Sequence, residues 1–178
     1  FGMNGGSIPQ WLELIQVNMF VVACGSAFLT ATVVRYIILP DFVNAERDSQ
    51  YMFQYHEQVM HNFAAMFLAV EVMLVAPVLH PQLALSCIGM GLFYVAFAYL
   101  FAYKGGGYYA YSFIDPRKKH APFIMLGLAG AIAVFYLGIL LASRLVEWNV
   151  YLGSIVLALW VSLIVQFWSN DPQTQSSS

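Results

Sequence analysis

The run Val59-Met60-His61-Asn62-Phe63-Ala64-Ala65-Met66-Phe67-Leu68-Ala69-Val70-Glu71-Val72-Met73-Leu74 decides the fold. It is apolar on every side from Phe63 onward, apart from one acid. It does not alternate, so it reads as a lipid-embedded or fully buried helix. Several other runs of the chain are as apolar and reach the ~20 residues a helix needs to cross a bilayer. A membrane β-barrel would show period-two alternation, which these runs lack. Charged types make up only 9% of the 178 residues, apolar types 61%, and mean hydropathy is +0.71. The chain therefore reads as one all-α integral membrane domain. A net charge of -2 gives no footing for nucleic acid.

Five membrane helices are expected, over residues 11–39, 50–79, 81–103, 121–145 and 146–168. This divides the chain into an N-terminal segment (1–10), a four-helix bundle (11–145), a fifth transmembrane helix (146–168) and a polar tail (169–178). Pro40 is expected to stop the first helix, while Pro81 and Pro122 open later ones, where proline is tolerated. His80-Pro81 reads as a tight turn that makes helices two and three an antiparallel hairpin. Ala23, Ala27 and Ala31, and Gly127, Ala131, Gly138 and Ala142, form small-residue stripes suited to close helix contacts. Arg35, Arg47, Lys104, Arg117, Lys118 and Lys119 fall on one side, and Arg144 on the other. By the positive-inside rule the loops 40–50 and 104–120 and the C-terminus face cytosol, matrix or stroma. Trp11, Trp148 and Trp168 fall near segment ends, as interfacial aromatics do. Phe1 at the start suggests a cleaved presequence or a preceding stretch, and the polar tail suggests a partner that holds it. The setting is expected to be organellar (mitochondrial or plastid) or the endoplasmic reticulum.

Three polar features interrupt the apolar background. Glu71 lies near the middle of the second segment, where a carboxyl group needs a neighbouring helix, a cavity or a proton. Gln54, Gln58 and His61 are spaced to share one face at the start of the same segment, beside His56, Glu57 and Asn62. His56 and His61 are five apart, not the four of a zinc helix, so no metal site is assigned. A third group is the loop with Tyr103, Lys104, three glycines, Tyr108, Tyr109, Tyr111 and Arg117. Its cations beside tyrosine hydroxyls suit a carboxylate or phosphate, or lipid headgroups at the interface. Cys24 and Cys87 sit in separate apolar runs and are expected to be buried and reduced.

At these clusters the chain resembles the MAPEG family, the membrane-associated proteins of eicosanoid and glutathione metabolism, nearest to its microsomal glutathione transferase 3 branch. The resemblance rests on His56-Glu57-Gln58-Val59-Met60-His61, then Met66-Phe67-Leu68-Ala69, then His80-Pro81-Gln82-Leu83-Ala84. Gly107-Tyr108-Tyr109 and Pro116-Arg117-Lys118-Lys119 follow. The resemblance implies a four-helix antiparallel bundle that assembles as a trimer and binds glutathione between subunits near the basic side. It puts glutathione on Gln54, Gln58, His61 and Lys104, and thiol activation on Arg117 with Tyr108 and Tyr109. The family's clasping arginine, asparagine and glutamate are replaced here by Gln54, Gln58 and His61, and a fifth helix is added.

Glutathione carries two carboxylates and an ammonium group, and unpaired desolvated charges are costly. The substituted site therefore points to a non-catalytic membrane subunit that binds lipid and docks neighbours in a larger respiratory or photosynthetic assembly. Two alternatives stand beside it. One is a glutathione transferase or peroxidase acting on lipophilic electrophiles. The other is a small channel, proton carrier or pigment-binding subunit using Glu71 and the histidines.

Overall fold

The computed structural model describes residues 9–44, 50–105, 115 and 118–168, and among these every regular element is helical. Four helices are long and apolar enough to cross a membrane: α1 (Gln10–Asn44), α2 (Tyr55–Val75), α3 (Pro81–Lys104) and α4 (Ala121–Trp148). The all-helical, membrane-type reading of the sequence stands. The fifth segment differs from expectation. Its helix, α5 (Val150–Ile164), has 15 residues. At ~1.5 Å per residue that is about 23 Å, short of the ~30 Å hydrocarbon thickness. Beyond Ile164 the backbone becomes extended at Val165 (φ -86, ψ 147).

The helix ends differ from the sequence reading at three prolines and one asparagine. Pro40 does not stop α1. A π turn over Val34–Ile38 precedes it, in which the Leu39 N–H reaches back five residues to the Val34 carbonyl. Proline removes one ladder donor and crowds the carbonyl four residues back; the wider turn makes room for it. At the start of the second segment, Gln50–Phe53 is a separate 3-10 turn, and Gln54 is extended (φ -65, ψ 150). Helix α2 then contains its own π turn, Val59–Phe63, and ends at Val75 instead of running to residue 79. Ala76 adopts a left-handed conformation (φ 42, ψ 60). Pro77 follows it and disfavours helix at the preceding residue, which is why the run breaks here.

The connection 76–80 therefore replaces a tight turn at His80-Pro81, and its carbonyls are bonded to α4. The Ser143 hydroxyl donates to Pro77 O (2.7 Å), Arg144 to Leu79 O (3.4 Å) and the Tyr136 hydroxyl to His80 O (2.7 Å). Irregular backbone near membrane depth is tolerated only when protein groups satisfy it in this way. Helix α4 runs three residues past the expected boundary. Asn149 (φ -151, ψ 104) alone separates it from α5 and caps α5, its side-chain oxygen accepting from the Leu152 N–H at 3.0 Å.

The chain forms two compact units, and α1 and α4 contribute to both. In the unit made of residues 1–25 and 80–137, α1, α3 and α4 meet at glycines. A Cβ on Gly25 would lie 2.9 Å from the Ile132 carbonyl, and one on Gly91 2.9 Å from the Ala129 Cα. Cys24 and Cys87 are buried and neither is in a disulfide. In the unit made of residues 26–79 and 138–178, α4 and α5 form a tight antiparallel pair. A Cβ on Gly153 would come within 2.5 Å of the Val146 backbone nitrogen, and Trp160 covers Gly138. Trp160 also meets Phe28 of α1 edge-on at 4.8 Å. The small-residue stripes serve only in part. Gly127 has open space around it, and Ala23 and Ala27 are only half-buried, whereas Ala31 and Ala142 are buried.

Candidate functional site

Polar side chains converge where α5 ends. The last carbonyls of any helix lack partners within it, and apolar surroundings supply none. Val165 N–H closes on Val161 O at 3.0 Å. Four further acceptors are reached from the two π turns. Arg35, in the π turn of α1, donates to Ser162 O (3.1 Å) and Val165 O (2.6 Å). The neighbouring Tyr36 hydroxyl donates to Leu163 O (2.6 Å). Asn62, in the π turn of α2, donates to Gln166 O (2.7 Å) and accepts from the Gln166 N–H (3.4 Å). Phe63 packs edge-on against Phe167 at 5.8 Å. The Arg35 cation also sits at the negative end of the α5 macrodipole, where a cation is stabilising. A charge-assisted bond of this kind contributes ~1.5–3 kcal/mol.

The cluster read from the sequence is split into two i, i+4 pairs. Gln58 is buried and donates to Met52 O (3.0 Å), and its side-chain oxygen accepts from Asn62 at 2.5 Å. His61 turns the other way and meets Glu57 at 2.9 Å, with His56 approaching the same carboxylate at 3.4 Å. The second ring nitrogen of His61, Nδ1, is buried without a hydrogen bond among the described residues. Gln54 is exposed and lies outside the helix, so Gln54, Gln58 and His61 do not share a face. Lys104, the last residue of α3, is exposed and belongs to the other unit, with its ammonium 5.8 Å from the centre of the Tyr103 ring. Tyr108, Tyr109 and Arg117 lie outside the described residues.

Glu71 is not at the middle of its helix. α2 ends at Val75, so Glu71 lies in its last full turn, about 6 Å from the end. It is exposed on the outer face, beside Phe67, Val70 and Leu74, which are all exposed. It makes no ion pair or hydrogen bond with the described residues. A carboxylate facing lipid costs up to ~3 kcal/mol, and the negative end of α2 adds a few tenths.

This chain matches no family model, no curated protein and no solved structure.

Its chemistry is therefore read from its own residues. The sequence reading missed Arg35, Tyr36 and Gln166 as members of the site. One signal was present: Arg35 follows a long run without a charged residue and precedes Tyr36-Ile37-Ile38-Leu39, which is too apolar for a loop cation. The arrangement closes a helix end. Among the described residues, both cations of the unit made of residues 26–79 and 138–178 are engaged: Arg35 with α5, and Arg144 with Glu147 at 3.1 Å.

Proposed function

We propose that this chain is a non-catalytic, multi-pass membrane subunit that contacts lipid and docks neighbouring subunits of a larger membrane assembly. One observation carries the reading. Of the residues on which the MAPEG resemblance puts glutathione, Gln58 and His61 are bonded to the chain itself, and so are Asn62, Glu57 and Arg35. Gln58 and Asn62 hold Met52 and Gln166, Glu57 holds His61 and His56, and Arg35 holds the end of α5. A zwitterionic tripeptide needs paired cations and an acid that are available on its arrival. A thiolate needs a cation or donor beside the sulfur. Gln54 supplies no charge, and the Glu57 carboxylate already has two imidazole partners.

The outer faces support the same reading. Long exposed rows of Leu, Val, Ile, Phe and Tyr on α2, α3 and α5 suit lipid and partner helices. The basic residues then keep the loops 40–50 and 104–120 on the cytosolic, matrix or stromal side. Mild-detergent native electrophoresis of the membranes tests the proposal. The chain is expected to migrate within a complex several times its own mass. Migration as a lone homotrimer, the assembly the MAPEG resemblance implies, contradicts it.

A further inference from the structure

Glu71 occupies the centre of an outward stripe of α2. Phe67 (68% exposed), Val70, Glu71 and Leu74 (80% exposed) follow helical spacing on one face, while Ala65, Ala69 and Val72 are buried on the other. Six residues after Glu71 the Pro77 carbonyl is bonded by Ser143, itself five residues inside the end of α4. An acid on an apolar face at this position needs a counter-charge or a proton. Protonation leaves the hydroxyl a donor with no acceptor in lipid, and it does nothing for the negative end of the α2 dipole that lies one turn away. A cation satisfies both.

Among its described residues, the unit that holds Glu71 has no free cation to give. Its two described cations are Arg35, engaged with the carbonyls of α5, and Arg144, engaged with Glu147 and Leu79 O. Arg144 is the one at the same end as Leu79 and the α2 terminus. A second copy inserted in the same direction brings the same engaged Arg144 and another acid. Charge complementarity therefore selects a different protein.

We infer that the Phe67–Val70–Glu71–Leu74 stripe of α2 is the docking face for a transmembrane segment of another protein that carries a lysine or arginine at the depth of Glu71. This rests on the subunit reading above and names the chemistry of one contact. The segment lays its apolar residues along Phe67, Val70 and Leu74, and its cation meets the carboxylate.

The test uses the full chain in its own membranes. A photo-crosslinking residue replaces Leu74, and a control replaces Leu159, which is exposed on α5. The expected Leu74 adduct contains a peptide of another protein with Lys or Arg inside an apolar run. Co-purification of that protein is expected to fall about tenfold in Glu71→Lys and several-fold in Glu71→Gln, because a desolvated ion pair is lost. Replacing the partner's cation with glutamate is expected to restore binding to Glu71→Lys. Adducts to a second copy or to lipid alone overturn the inference. So does co-purification of Glu71→Lys within about twofold of the unsubstituted chain, well under what loss of a buried charge pair produces. A chain that stays in a larger complex despite Glu71→Lys defeats this face and leaves the subunit reading intact. A chain that runs alone before any substitution defeats both.

Discussion

Replacing Asn62 by leucine separates a structural clasp from a ligand site. The side chains have similar volume, so the change removes polar atoms with little change in packing. Asn62 donates to Gln166 O and to the Gln58 side chain, and accepts weakly from the Gln166 N–H. Leucine leaves two acceptors without these donors: the Gln166 carbonyl and the buried Gln58 oxygen. Each unsatisfied group costs ~1–3 kcal/mol, so the expected loss is about 2–6 kcal/mol. The 3.4 Å contact adds little. Part of the loss falls on the segment after α5, so two readouts apply. Denaturant unfolding in detergent micelles reports the free energy. Hydrogen exchange at Val165 and Gln166 reports whether the extended segment has been released. Destabilisation below ~0.5 kcal/mol with unchanged exchange at Gln166 would refute the clasp, since surface substitutions away from any contact fall in that range.

Arg35→Leu removes both charge-assisted bonds to Ser162 and Val165 and the cation at the α5 terminus, and is expected to cost ~3 kcal/mol or more, read as a lower unfolding midpoint with faster exchange confined to the end of α5. Gly153→Ala forces a Cβ to within 2.5 Å of the Val146 backbone and is expected to destabilise by at least ~2 kcal/mol, whereas Gly127→Ala, in open space, is neutral or stabilising by up to ~1 kcal/mol. Comparison of the two by thermal unfolding in the same micelles checks the α4–α5 contact without a change in helix type. Glu71→Leu on the isolated chain removes an acid from an apolar face and is expected to raise the unfolding midpoint, by an amount bounded by ~3 kcal/mol; a fall instead would mean that Glu71 has an internal partner.

Continuous apolar runs were enough to find the four long helices, because a stretch of that length has few alternatives in a membrane protein. The faces of those helices were harder to read. A π turn inserts one residue and rotates everything after it by about 100° relative to a 3.6-residue period. Gln58 joins Asn62 and Glu57 joins His61, each pair at the ordinary i, i+4 spacing, although the sequence reading puts Gln58 and His61 on one face. Pro77 was a visible stop for α2, since the residue before a proline avoids the helical region, yet Ala76 in a left-handed conformation has no sequence signature. Asn149 was likewise a visible cap, flanked by Trp148 and an apolar run. The short length of α5 was not visible, because Val165, Phe167 and Trp168 continue the apolar composition around Gln166. Their departure from helix depends on tertiary bonds from Arg35 and Asn62, which no local pattern encodes.

Equilibrium dialysis of the detergent-purified chain against labelled glutathione at millimolar concentration tests most directly whether the polar cluster is closed on itself. With Gln58, Asn62, Glu57 and Arg35 engaged internally, no saturable binding is expected, and Gln58→Leu changes stability only. Saturable binding near one equivalent per chain or per trimer, abolished by Gln58→Leu or Asn62→Leu, would contradict it.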